Sequence, residues 1–192
     1  MIRALIFDCF GVLYHGSLGH LRQLLPPDRR QELNDLSMSS DYGYISRQEY
    51  FDKASEIMGM SPAEMEAITT KQHIRNELLV DYVKSMKSNY KIGLLSNVGN
   101  DVMNRLFSPA EQAELFDVVV LSSDIGMTKP NPDIFALTAI KLGVLPEECI
   151  MIDDLLINIE GARQTGMKGV VYSTVEQAKR AIDEHVRASA DA

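Results

Sequence analysis

Apolar runs in this chain repeatedly end in residues equipped for chemistry. Residues 2–7 run into Asp8, residues 91–95 into Ser96-Asn97, and residues 149–152 into Asp153-Asp154. Lys129 follows another apolar run, 118–121, in the loop Thr128-Lys129-Pro130-Asn131-Pro132. Three carboxylates do not gather ionised without a countercharge, and a hard divalent cation is the natural one. Mg²⁺ in particular favours one or two carboxylates together with phosphate and water. Phosphoryl transfer requires a nucleophile, a metal, donors for the phosphoryl oxygens and a cation, and this set of residues supplies all four. Each residue alone has a plainer reading. Asp8 could end a strand, Ser96-Asn97 could cap a helix, Lys129 could be a solvated loop lysine, and Asp153-Asp154 an acidic turn.

These side chains need a scaffold that brings them together. Short apolar runs without a helical period, bounded by turn signals, read as buried strands of a parallel sheet. The predicted strands are 2–7, 91–96, 118–121, 149–152 and 169–172. Helical patterns alternate with them at 78–86, 101–107, from Ser108 onward, 133–142, 159–164 and 175–186, while 188–192 should fray. Such alternation means an α/β fold with helices on both faces of a parallel sheet. Ligands of such sheets sit at the carboxyl ends of the strands, where the polar residues fall. Between the first two strands the chain is helical. Ser46 with Glu49 and Ser61 with Glu64 are capping boxes, Pro62 occupies a first helical position, and Gly59 is a stop. Leu21, Leu24 and Leu25, then Leu33 and Leu36, predict two shorter helices. This stretch is long for a crossover. It reads as a helical insertion over 15–75, within a core made of 1–14 and 76–192.

Composition narrows the class. With 45% hydrophobic and 24% charged residues the chain can bury an ordinary globular core. A net charge of -8 disfavours a nucleic acid or an acidic membrane as partner. An anionic small substrate stays compatible, because a metal and a few lysines can make one site locally positive. Cys9 and Cys149 lie in apolar surroundings and predict free thiols in a reducing compartment. No stretch resembles a signal peptide or a membrane span, so the expectation is a soluble, cytoplasmic protein. Monomer and homodimer both remain open.

The ordered set Asp8-Cys9-Phe10-Gly11-Val12-Leu13, Leu94-Leu95-Ser96-Asn97, Lys129-Pro130 and Asp153-Asp154 resembles the four motifs of the haloacid dehalogenase (HAD) superfamily. A helical insertion between the first two motifs resembles the C1-capped branch, subfamily IA. The stretch Ser122 to Pro130, and Ile152-Asp153-Asp154 through Asn158, Ala162 and Gly166-Met167, resembles the N-terminal phosphatase domain of soluble epoxide hydrolases. The resemblance implies a Rossmann-like sheet of order 5-4-1-2-3 under a cap, and a Mg²⁺-dependent phosphatase acting on a small phosphorylated metabolite. It further implies that Asp8 forms an aspartyl-phosphate and that Asp8, the Phe10 carbonyl and Asp154 bind the metal. Asp153 would ligate it directly or through water. Ser96, Asn97 and Lys129 would hold the phosphoryl group, with Lys129 also offsetting the charge on Asp8, and Asn158 would buttress the metal loop.

One position departs from the pattern. Phosphatases of this family usually carry an aspartate two residues after the nucleophile, as general acid and then base, where this chain has Phe10. A positioned acid or base contributes roughly 10²–10⁴-fold, so substrates with good leaving groups would lose least. His15 has the right pKa range to substitute but also reads as an ordinary hinge residue; Tyr14 is a weaker candidate. An aromatic residue here resembles the dehalogenases of the superfamily, although those lack the acids of the fourth motif. Two alternatives therefore stand beside the phosphatase: a 2-haloacid dehalogenase-like hydrolase, and a catalytically weak binder of a phosphorylated ligand or a protein. Within the insertion, Gly43 would allow the loop 40–45 to approach the site closely. Tyr42 and Tyr44 there would either stack on substrate or pack the insertion's helices. Met58, Met60 and Met65 read as core filler.

Overall fold

In the computed structural model, which describes residues 1–98 and 102–190, the first apolar run forms strand β1 (Ala4–Phe7), buried throughout. A strand buried on both faces alternates its side chains between two cores. Leu5 and Phe7 join one, Ala4 and Ile6 the other. The chain then leaves the sheet for the helical insertion: α1 (Leu18–Leu24), α2 (Arg30–Asp41), α3 (Arg47–Met58) and α4 (Pro62–Gln72). It returns through α5 (Glu77–Met86), β2 (Lys91–Ser96), α6 (Met103–Leu106), α7 (Pro109–Leu115), β3 (Val118–Leu121), α8 (Ser122–Ile125), α9 (Pro132–Leu142), β4 (Cys149–Asp153), α10 (Leu156–Gln164), β5 (Lys168–Val171) and α11 (Val175–Ala190).

The strands form one parallel sheet in the order β3-β2-β1-β4-β5, as the resemblance implies. Leu79 and Val83 of α5 and Ile182 of α11 cover one face; Phe135 of α9 and Ile159 of α10 cover the other. The fold is therefore α/β and Rossmann-like. Phe7 pairs with Leu94 on one side and Ile152 on the other, and Asp8 N–H donates to Ile152 O at 2.9 Å. That register brings the ends of β1, β2 and β4 to one edge.

The insertion has a core of its own, made by Leu21, Leu33, Phe51, Ala54 and Met65, with Met58 and Met60 packed against it. Both predicted capping boxes form, Ser46 with Glu49 and Ser61 with Glu64. Two adjacent segments tie the insertion to the sheet. His15 N–H donates to Ile74 O and Asn76 N–H to Leu13 O, each at 2.9 Å.

Some boundaries differ from the sequence expectation. The last helix continues through Ala190, because Ser189 Oγ accepts the Ile2 N–H at 3.1 Å and pins the final turn. Helix α10 starts at Leu156, ahead of the apolar period that predicts 159. The one-turn α8 carries no periodic signal at all. Asp101, the first residue of one predicted helix, lies outside the described residues, as do the last two of the predicted frayed tail. Among the described residues no helix is long and apolar enough to cross a membrane.

Candidate active site

Three strand ends and one loop meet at the sheet edge. Asp8 Oδ1 accepts the Cys9 N–H at 2.6 Å and pairs with Lys129 Nζ at 2.9 Å. The same ammonium lies 2.6 Å from Asp153 Oδ2. All three side chains are buried; Asp153 is 0% exposed and Lys129 3%. Burial pushes the Asp8 carboxyl up to about 7, Lys129 pulls it back down and Asp153 adds to the rise. For Lys129 burial acts downward, yet Asp8 and Asp153 outweigh it and hold the ammonium above its ordinary value. The lysine is thus a permanent internal cation shared by two carboxylates.

The two consecutive acids of β4 do different things. Asp153 Oδ1 accepts Leu155 N–H at 2.9 Å and Asn158 Nδ2 at 3.0 Å, and Oδ2 accepts Asn158 Nδ2 at 3.1 Å besides Lys129. Asp154 instead opens onto the cavity with Asp8. Burial first, then the Asp153 charge, raises its pKa. Its carboxyl lies against Gly11, whose φ of +87° and missing side chain are both required: a Cβ there would run into the Asp154 carboxylate. Oxygens of Asp8, Asp153 and Asp154 approach within 4.8 Å of one another. Three carboxylates against one lysine leave negative charge for a second cation to offset, so the donor set fits a hard divalent ion. The Phe10 carbonyl accepts no backbone hydrogen bond among the described residues.

The loop that carries Lys129 is fixed from two sides. Asn97 Oδ1 accepts the Lys129 N–H at 2.8 Å and its Nδ2 donates to the Lys129 carbonyl at 2.9 Å. The side-chain amide of Asn97 thus holds the lysine's backbone, while Asn97 still lines the cavity. On the other side Gly161 of α10 packs so tightly on the Pro130 carbonyl that any Cβ would collide with it. Ser96, 1% exposed, keeps a hydroxyl with no hydrogen-bond partner among the described residues, and it lines the cavity.

That cavity, about 850 Å³, lies between the sheet edge and the insertion. The insertion contributes Asp41, Arg47, Tyr50, Thr69 and His73 to its wall. Arg47 reaches Glu66 at 3.1 Å and covers the Phe51 ring at 4.3 Å; Arg105 of the core joins the same Glu66 at 2.9 Å. The sites considered for the missing acid are resolved by position. His15 is exposed and does not line the cavity. Tyr14 donates its hydroxyl to Leu106 O at 2.6 Å, and burial raises its pKa. Phe10 itself packs on the His73 ring, centroids 4.8 Å apart. Tyr42 and Tyr44 stack on each other at 5.3 Å, with Tyr44 74% exposed, and neither lines the cavity. Gly43 does make a close approach, but to the core backbone: its Cβ would stand 2.7 Å from Ser123 O.

Sequence reasoning missed His73 and Arg47 and reached Asp41 only as part of the loop 40–45. No motif marks them, and only the docking of the insertion on the sheet edge brings them to the cavity. Ser122, which holds the Asp41 carbonyl from the core, had no role assigned. Ser122 had one usable signal, an apolar strand ending in two serines, as β1 ends in Asp8.

Residues 2–166 match a family described as haloacid dehalogenase-like hydrolase. Fructose-1-phosphate phosphatase of Escherichia coli is 32% identical over 92 residues, 48% of this chain and 49% of that protein. D-ribitol-5-phosphate phosphatase of Bacteroides thetaiotaomicron is 32% identical over 95 residues, 46% of each chain. These matches thus span about half the length of the curated relatives. A predicted HAD-like hydrolase from Porphyromonas gingivalis superimposes with a TM-score of 0.77 at 26% identity, covering 97% of this chain and 98% of that one. A HAD family enzyme of Bacteroides thetaiotaomicron, solved with magnesium and inorganic phosphate, gives 0.75 at 22% identity over 91% and 96%.

Proposed function

Because this chain belongs to the haloacid dehalogenase-like hydrolase family, we propose that it is a Mg²⁺-dependent phosphatase. Its substrate would be a small phosphorylated metabolite, cleaved through an aspartyl-phosphate on Asp8. The observation that carries the reading is the arrangement at the sheet edge. Asp8 is held by a buried lysine, beside an open acid, Asp154, and the cavity-lining hydroxyl of Ser96. One oxygen of Asp8 attacks phosphorus while the bond to the leaving oxygen breaks. Lys129 and the Ser96 hydroxyl hold phosphoryl oxygens, and Lys129 opposes the rise that burial imposes on Asp8, favouring the ionised nucleophile. Asp8, Asp154 and the Phe10 carbonyl would hold Mg²⁺, with Asp153 behind them through water. Bound there, the ion offsets the charge of the phosphoryl group. The helical insertion over 15–75 acts as the cap, excluding water and choosing the leaving group.

The dehalogenase alternative draws support from the aromatic Phe10, and the Asp153-Asp154 pair weighs against it. Displacement of a halide and hydrolysis of the resulting ester need no metal, and so no set of three carboxylates to hold one. The test is inorganic phosphate release from aryl, acetyl and sugar phosphates, with Mg²⁺ and with EDTA, for the native chain and Asp8→Asn. Release that needs both Mg²⁺ and Asp8 is the expected result. Release equal to the Asp8→Asn background on every compound, with halide freed from a 2-haloacid, would overturn it. The ranking of sugar phosphates would then identify the metabolite class.

A further inference from the structure

Phe10 leaves this site without the carboxyl that would normally protonate the leaving oxygen, yet a different carboxyl enters the same cavity from the opposite wall. Asp41 is the last residue of α2 and lines the cavity together with Asp8 and Lys129. Its backbone is anchored to the core, not merely laid against it. The Ser122 hydroxyl donates to the Asp41 carbonyl, and two residues on Gly43 makes its close approach to Ser123. The carboxyl itself has no ion pair or hydrogen bond among the described residues. The groups that face it are Asp8 and Lys129 from the core and Tyr50 from α3. Lys129 is already shared between Asp8 and Asp153.

We propose that Asp41 is the general acid and base of this enzyme, delivered by the helical insertion in place of the residue lost at Phe10. This rests on the phosphatase reading above. An ionised Asp41 would face both the Asp8 carboxylate and a substrate phosphate, so the protonated form is the one complementary to the loaded site. Burial, and then the Asp8 charge, push its carboxyl up to about 7, within reach of either state near neutral pH. In the first step Asp8 forms its bond to phosphorus and the bond from phosphorus to the leaving oxygen breaks. The Asp41 proton passes to that oxygen, which departs as an alcohol. In the second step the Asp41 carboxylate takes a proton from water as the water oxygen attacks phosphorus. The bond from phosphorus to Asp8 breaks, phosphate leaves, and both acids return to their starting states.

His73 is the rival in the same wall. It stacks on Phe10, and burial first, then the Arg47 charge, lower its pKa, so it is the weaker proton donor of the two near neutral pH.

The experiment is a leaving-group series, from 2,4-dinitrophenyl phosphate to simple alkyl phosphates. It reads kcat/KM for the native chain, Asp41→Asn, Asp41→Glu and His73→Gln, each checked for folding by circular dichroism. Asp41→Asn should lose roughly 10²-fold or more on alkyl phosphates and little on the dinitrophenyl ester, whose leaving group needs no proton. Asp41→Glu should restore part of the alkyl activity. The native pH profile makes the same test without a variant. An alkaline limb in kcat/KM should appear for alkyl phosphates and be absent for the dinitrophenyl ester. A loss from Asp41→Asn that is uniform along the series, an unchanged series, or identical pH profiles for both substrates would overturn the assignment. Steepening with His73→Gln alone would move the role to that residue. Native release that needs neither Mg²⁺ nor Asp8 would overturn the phosphatase reading itself, and would show as failure before any Asp41 variant is compared.

Discussion

Replacing Lys129 with methionine isolates what the buried ammonium does, since the stem is nearly kept and only the charge is lost. In the native chain this ammonium lies 2.9 Å from Asp8 Oδ1 and 2.6 Å from Asp153 Oδ2, in a site closed to solvent. Removing one partner of a buried ion pair costs about 3–5 kcal/mol, because it strands an uncompensated charge. For a chain of this size that corresponds to a fall in Tm of roughly 6–20 °C, at about 2–4 °C per kcal/mol. The cost depends on pH, and its sign follows from Asp8. Burial holds its carboxyl up at about 7 in the fold, well above the ordinary 3.8 of an exposed aspartate. The folded state therefore binds the extra proton, and what Asp8 contributes to stability is full below the lower value and lost as pH rises through the upper one. Taking Lys129 away removes the main influence that lowers Asp8, so its titration moves higher still. The variant should lose the most stability at pH 8 and much less at pH 5, where a protonated Asp8 needs no counter-ion. Urea unfolding at the two pH values, without metal, measures this directly. Adding Mg²⁺ at pH 8 should return part of the loss. Equal losses at both pH values would show that Lys129 matters through packing and not through charge, and the electrostatic account of the site would fail.

Gly11→Ala should cost roughly 1–2 kcal/mol through its φ of +87°, and its Cβ displaces the Asp154 carboxylate. Isothermal titration should show Mg²⁺ affinity falling on the order of 10–100-fold. Asn97→Ala removes both hydrogen bonds that fix the Lys129 backbone. A misplacement near 1 Å can cost about 10²-fold in rate, so kcat should fall by that order with a smaller change in stability, read by steady-state kinetics and thermal melts. Gly161→Ala drives a Cβ into the Pro130 carbonyl, which is rigid backbone. It should therefore destabilise the fold as well as lower kcat, with overpacking typically costing about 1–3 kcal/mol. Asp41, raised from 3.8 to about 7, penalises the metal-free fold once ionised. Asp41→Asn should thus gain most over the native chain at pH 8, by at most about 4 kcal/mol at 1.36 kcal/mol per unit, and well under half of that at pH 5; water in the cavity reduces both. Chemical denaturation at both pH values is the check.

The sequence by itself determined the elements and the edge at which they work. Apolar runs that stop at Asp8, Ser96 and Asp153 are strands because a sheet buried on both faces needs uninterrupted apolar side chains, and a charged residue can stand only at the edge, where a partner such as Lys129 reaches it. The capping boxes at Ser46 and Ser61 were equally legible, since their partners lie three residues apart. Local patterns of this kind need no knowledge of the rest of the molecule. What each polar residue does was decided only by the tertiary structure. That Asn97 also anchors the backbone of Lys129 is visible only once the loop 128–132 folds onto its amide. Asp153 and Asp154 are neighbours in sequence, yet the alternation of a strand end turns one toward Lys129 and the other toward the cavity. His15 is near Asp8 along the chain but outside the site, whereas Asp41 and His73 reach the cavity from far along it. The physical reason is that strand and helix periods are written in nearest neighbours, while the wall opposite Asp8 is set by how the insertion's separate core docks on the sheet edge, through contacts such as Ser122 to Asp41 that no local pattern encodes.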